Sequence, residues 1–195
     1  AINGSEWRLS GAVQLDRIKK MDKAFKNNGY MVLELFIKHP VKDFSVRGIA
    51  RDLGMSHATV LSYIGEIERL GLVRKNSSTL YPTYYANTEG SRYRMYKRDW
   101  LIFLISESGL INHVQSETFA SSIVLFGSGA KATFTENSDI DIFVEAKEKK
   151  LNLSKYERKL GHKVNLLFDA SINNLSRELR NNIINGIVFY GFIRI

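Results

Sequence analysis

The sequence predicts an α+β chain in two parts: a mostly helical front half with a β-hairpin, then a small α/β half with a mixed sheet. Three observations predict it. Apolar residues recur at helical spacing through the first hundred residues. A polar turn, Asn76-Ser77-Ser78, separates two β-prone runs. From about residue 116, short apolar runs typical of strands alternate with helical stretches. The boundary is expected within 108–116, giving a front domain at 1–107 and a second at 108–195.

Each element follows from its local pattern. Residues 12–26 carry Ile18, Met21 and Phe25 on one helical face. "YMVLELFIKHP" reads as a helix that stops before Pro40, because the residue preceding a proline is pushed out of helical geometry. In "FSVRGIARDLGMSHATVLSYIGEIERLG", Val46, Ile49, Ala50 and Leu53 form one apolar stripe, and Gly54 suits a helix stop. Ser56 then suits an N-cap, and Val60, Ile64 and Ile67 form a second stripe ending at Gly71. The run "LVRKNSSTLYPTYYAN" is the hairpin. "GSRYRMYKRDWLIFLISESG" is a connecting helix, basic early and apolar late, and "LINHVQSETFAS" is one more helix. The four-basic stretch "SRYRMYKRDW" is expected to be a solvated helix that covers the core through its aromatic stems. "SIVLFG", "DIDIFVEA", "KVNLLFD" and "IVFYGFIRI" read as strands, with helices at "LSKYERKLG" and "NLSRELRNNIING".

Composition narrows the function classes. The 195 residues include no cysteine, so disulfides and thiolate metal sites are excluded and a reducing cytoplasm is the expected setting. The longest dense apolar run, Trp100–Ile105, is far short of the roughly 20 residues of a membrane span. No basic start followed by an apolar segment marks a secretory signal. The formal charge of +8 favours polyanionic partners. The excess lies forward: 17 Lys/Arg stand against 11 Asp/Glu up to Gln115, and 11 against 9 after it. The front half is therefore the expected nucleic-acid binder.

The chemistry concentrates in "LFGSGAKATFTENSDIDIFVEA", residues 125–146. Asp139 and Asp141 lie two apart in a strand pattern, so both carboxylates share a face with Cα atoms roughly 6.6 Å apart. Two such charges repel unless a divalent cation joins them, and hard oxygens suit Mg²⁺ or Mn²⁺. Ten residues earlier, an apolar run ends in Gly127-Ser128, a turn that exposes backbone N–H groups and a hydroxyl to an anion. Gly129 and Ala130 leave the approach open, and Lys131 is a candidate phosphate contact. Taken singly, either motif is more often a solvated strand face or an ordinary turn. No Walker or dinucleotide glycine motif competes, and four scattered histidines offer no zinc spacing.

The order "FGS", ten residues, then "DID" carries a resemblance: residues 110–195 resemble the minimal nucleotidyltransferase domains of the polymerase-beta superfamily. "LGHKVNLLFDASINNLSRELRNNIINGIVFYG" is similar to their downstream course. The resemblance implies transfer of a nucleoside monophosphate from an NTP, ATP being expected, to a hydroxyl. It implies that Gly127, Ser128 and Lys131 bind the nucleotide and that Asp139 and Asp141 are catalytic metal ligands. Asn165, in "KVNL", stands where the family usually carries a third carboxylate, and would ligate through its amide oxygen. Asp169 would lie about 13 Å along the strand from it, too far to substitute. "GSGAKA" stands where relatives often read "GSxARG", so Lys131 keeps a charge without arginine's planar fork.

Residues 44–70 resemble a helix-turn-helix, and with the hairpin they resemble a winged helix. The resemblance implies DNA contact by Ser56, His57, Thr59, Ser62 and Tyr63 at the start of the second helix, and by Arg74 and Lys75 on the wing. Arg47 and Arg51 could touch backbone. A protein-interaction or dimerisation module is the plainer alternative. Two functions stay open. One is an Mg²⁺-dependent nucleotidyltransferase joined to a DNA-binding unit. The other is a DNA-binding regulator or antitoxin with a weakened transferase-like domain, paired with a helical toxin-like protein. A homodimer through residues 12–26 fits either.

Overall fold

The computed structural model describes residues 28–78 and 81–194. The helix expected at 12–26 lies outside the described residues. The chain divides into two compact units, one up to Tyr93 and one from Arg94.

The first unit opens with α1 (Asn28–Lys38), which ends ahead of Pro40. A two-residue strand, β1 (Phe44–Ser45), leads into α2 (Val46–Leu53). Ser45 caps α2 by accepting from the Gly48 N–H, and Gly54 closes it in the left-handed region at φ 66°. The next helix is α3 (His57–Arg69), capped by the Ser56 hydroxyl on the Thr59 N–H. The hairpin is β2 (Val73–Asn76) with β3 (Thr83–Ala86). β3 is the central strand of an antiparallel sheet ordered β1-β3-β2. The sequence pattern did not reveal β1, because two residues carry no periodicity. Phe44 takes its place by pairing with Tyr84 and by meeting Phe36 edge-on at 5.1 Å. Val32, Phe36, Ile49, Val60 and Ile64 are fully enclosed; the two stripes supply Ile49, Val60 and Ile64, with Val46 and Ile67 also buried and Ala50 and Leu53 half-buried. The buried Tyr93 hydroxyl donates to the Phe36 carbonyl at 2.9 Å.

The division falls in the first turn of α4 (Ser91–Ser108). The second unit continues with α5 (Leu110–Thr118), β4 (Ser122–Leu125), the single-turn α6 (Gly127–Lys131) and β5 (Ile140–Glu145). Then come α7 (Ser154–Leu160), β6 (Val164–Asp169), a 3₁₀ turn at Ile172–Asn174, α8 (Arg177–Ile184) and β7 (Ile187–Gly191). The sheet order is β6-β5-β4-β7, with β5 and β6 parallel and β4 antiparallel to both its neighbours. It is therefore a mixed sheet. The parallel pair needs a crossover, and the α7 segment supplies it. Ile123, Val124, Leu125, Ile142, Phe143 and Val144 are fully buried, which explains why the two central strands read as continuous apolar runs. On one face, Val124 and Phe143 pack with Ile172 and Ile183, flanked by Phe126, Leu167 and Leu179.

Candidate functional site

The sheet brings the predicted residues together. Asp139 immediately precedes β5 and Asp141 lies within it, so the two-residue period sends both side chains to one face. In the parallel pairing of β5 and β6, Asp141 stands opposite Asn165. The Asn165 Nδ2 donates to Asp139 Oδ2 at 3.1 Å and to Asp141 Oδ1 at 3.3 Å. Asp139 and Asn165 are exposed and Asp141 is half-buried, so the cluster faces solvent at the start of both strands. Among the described residues, neither aspartate takes part in an ion pair.

The glycine turn meets this cluster from β4. Phe126 is extended and donates its N–H to the Asp141 carbonyl at 3.0 Å. Gly127 follows at φ 67°. A Cβ there would lie 2.6 Å from Asp141 Oδ2, so position 127 requires glycine for both its backbone angle and its closeness to the carboxylate. Ser128 is half-buried beside it. Gly129 is buried against Leu101 and Leu125, where a side chain would press on both. Lys131 is exposed and reaches Asn182 Oδ1 on α8 at 3.0 Å.

The loop from α6 to Asp139 is held by groups that belong to no sequence motif. The buried Lys97 on α4 donates to the Phe134 carbonyl and lies 4.4 Å from the Phe134 ring centroid. Burial pushes its ammonium down to a pKa of about 8. Trp100 stacks on the same ring. The His162 Nδ1 lies 2.8 Å from the Ser138 carbonyl, and the Ile140 N–H donates to the Lys163 carbonyl at 2.8 Å. The basic stretch "SRYRMYKRDW" is thus not uniformly solvated: Arg92, Arg94 and Arg98 are exposed, while Lys97 faces the interior. A signal was present, since Tyr93, Lys97, Trp100, Leu101 and Ile105 occupy one buried helical stripe.

Asp169 stands at the far end of β6, opposite Glu145. Its carboxylate accepts from the Ser171 N–H at 3.0 Å and from Asn174 Nδ2 at 2.7 Å, and the Ser171 bond leads the causes holding its pKa down. It serves the turn after the strand.

In the first unit, Ser56, His57, Thr59, Ser62 and Tyr63 occupy the first two turns of α3 or its cap. The Ser56 hydroxyl is committed locally, to the Thr59 N–H at 3.1 Å and to Thr59 Oγ1 at 2.8 Å. His57 and Ser62 are exposed, and Thr59 and Tyr63 are partly covered. The outward face also carries Ala58, Leu61 and Gly65, whose side chains offer no hydrogen bond and so gave no signal in the sequence. Arg74 and Lys75 are exposed on β2.

Two carboxylates and an adjacent backbone turn make a donor set of hard oxygens and N–H groups, which suits a divalent cation whose remaining ligands come from water and phosphate. Among the described residues, no helix is long and apolar enough to cross a membrane. Residues 109–191 match the family model described as "Polymerase beta, Nucleotidyltransferase", a span that runs from before α5 to the end of β7 and includes the whole cluster. The match supports a nucleotidyltransferase domain over this segment. No curated protein and no solved structure matches the chain.

Proposed function

We propose, from the nucleotidyltransferase match over residues 109–191, that the second unit transfers a nucleoside monophosphate from an NTP to a hydroxyl, with ATP as the expected donor. The observation that carries the reading is the meeting of Asp139, Asp141 and Asn165, with Asp141 held against the turn at Gly127. Asp139 and Asp141 would hold Mg²⁺ or Mn²⁺, which supplies Lewis-acid stabilisation of charge on the phosphates when bound. Gly127 and Ser128 would bind the terminal phosphates through backbone N–H groups and the Ser128 hydroxyl. Lys131 would add a positive charge beside them.

In the reaction, the acceptor oxygen forms a bond to the α-phosphorus as the bond to the bridging oxygen breaks. Pyrophosphate leaves, and the acceptor proton passes to water. The protein's part is positioning and electrostatics. The test is incubation with labelled NTPs, Mg²⁺ or Mn²⁺ and hydroxyl acceptors. Pyrophosphate release that disappears in Asp139→Ala plus Asp141→Ala supports the reading. Undiminished release in that variant would sink it.

The first unit is read as a DNA-binding winged helix working in the same reducing cytoplasmic setting. Its two capped helices, three-stranded antiparallel sheet and exposed Arg74 and Lys75 support this.

One observation favours a second reading. Asn165 brings no charge to the cluster, so the carboxylates number two. A domain so built fits a regulator or antitoxin that binds nucleotide without turnover and pairs with a helical toxin-like protein, or with a second copy of itself. Nucleotide binding without pyrophosphate release would select it.

A further inference from the structure

Two like charges share one face at the head of β5, and among the described residues no ion pair relieves them. The Lys131 ammonium on α6 engages Asn182 instead. What joins the two carboxylates is a single nitrogen. Asn165 Nδ2 has two hydrogens, and its two bonds run to different residues: one to Asp139 Oδ2, the other to Asp141 Oδ1. Ionised carboxylates only accept, so the amide meets them through its two N–H donors. The parallel register imposes this arrangement, because it sets Asn165 beside Asp141 and within reach of Asp139. An aspartate at 165 would have the same reach and would offer a third negative charge in place of the two donors.

We propose that Asn165 is a latch: its amide stands where a cation would stand, tying Asp139 to Asp141 in the metal-free protein and competing with the cation for their oxygens. The inference rests on the reading of the two aspartates as a divalent-cation pair. It makes Asn165 a positioning residue that preserves the spacing of the ligands at some expense in metal affinity. It also separates this role from that of a ligand through Oδ1, since the two make opposite predictions on truncation.

The full chain, Asn165→Ala and Asn165→Asp are compared by thermal unfolding without metal, and by titration with Mn²⁺ alone followed through its electron paramagnetic resonance signal. Loss of the latch should lower the metal-free melting temperature by a few degrees in both variants, more in Asn165→Asp. It should tighten Mn²⁺ binding about tenfold, because two charge-assisted hydrogen bonds no longer oppose it. If Asn165→Asp folds only with Mn²⁺ present, that dependence supports the proposal, and Asn165→Ala supplies the titration. Weaker Mn²⁺ binding by Asn165→Ala would show that Oδ1 is a ligand and overturn the latch. Equal binding and equal melting in Asn165→Ala and the unaltered chain would overturn it while leaving the cation pair standing. Absence of Mn²⁺ binding in all three proteins would remove the cation pair itself, and the latch with it.

Discussion

Gly127 and Asp141 approach so closely that a Cβ on the glycine would lie 2.6 Å from the carboxylate oxygen. The turn at the end of β4 and the carboxylate on β5 are therefore one construction, since neither can change without displacing the other. Gly127 also sits at φ 67°, where an L side chain costs about 1–2 kcal/mol. Gly127→Ala should lose at least that much stability and shift Asp141. Thermal unfolding with and without Mg²⁺-ATP would show both a lower melting temperature and a reduced response to nucleotide. An unchanged response would mean that the contact does not bear on the site.

Nucleotide should stabilise the protein only when the cation is present. A ligand that binds the folded chain alone adds about 2.7 kcal/mol at a hundred times its dissociation constant. Melting temperature should rise with ATP and Mg²⁺, and the rise should vanish with EDTA or in Asp139→Ala plus Asp141→Ala. A full response to ATP in EDTA would place the nucleotide elsewhere.

Lys97 gives a pH signature of definite sign. In the folded chain burial brings its pKa to about 8, against the ordinary 10.5. Between those values the unfolded chain carries a proton that the folded chain has released, so folding gains as pH rises, by about 1.4 kcal/mol per unit. Below pH 8 both states are charged and the burial cost is fully present. Above 10.5 both are neutral and it is gone. Measured against Lys97→Met, which does not titrate there, the unaltered chain should gain relative stability from pH 8 to about 10. A flat difference would show that Lys97 keeps an ordinary affinity for its proton.

Ser56 and the hairpin residues Arg74 and Lys75 should separate by assay. Ser56→Ala removes the cap of α3 and should lower stability by about 1 kcal/mol. Arg74→Ala plus Lys75→Ala, both exposed, should leave the melting temperature nearly unchanged. If the hairpin contacts phosphates, as proposed, this pair should weaken DNA binding and flatten its salt dependence by about one unit per side chain. Equal salt slopes in a duplex-binding titration would remove the hairpin from the proposed interface.

Much of this protein is legible in its sequence because the relevant information is local. Helical stripes, the Ser56 cap, the Gly54 stop and the apolar strand runs are all set by neighbours within a few residues. So is the shared face of Asp139 and Asp141, which follows from the strand period. Pairing across the chain is what the one-dimensional pattern lacks. Parallel register set Asn165 opposite Asp141, and side-chain reach decided that its nitrogen bridges both aspartates. Packing in three dimensions turned Lys97 inward to the Phe134 carbonyl, recruited Phe44 into a two-residue strand and left Asp169 to cap a turn. Local pattern carries propensity and facing; only closure of the sheets determines which residues meet, because hydrogen-bond register and burial are properties of strands far apart in sequence.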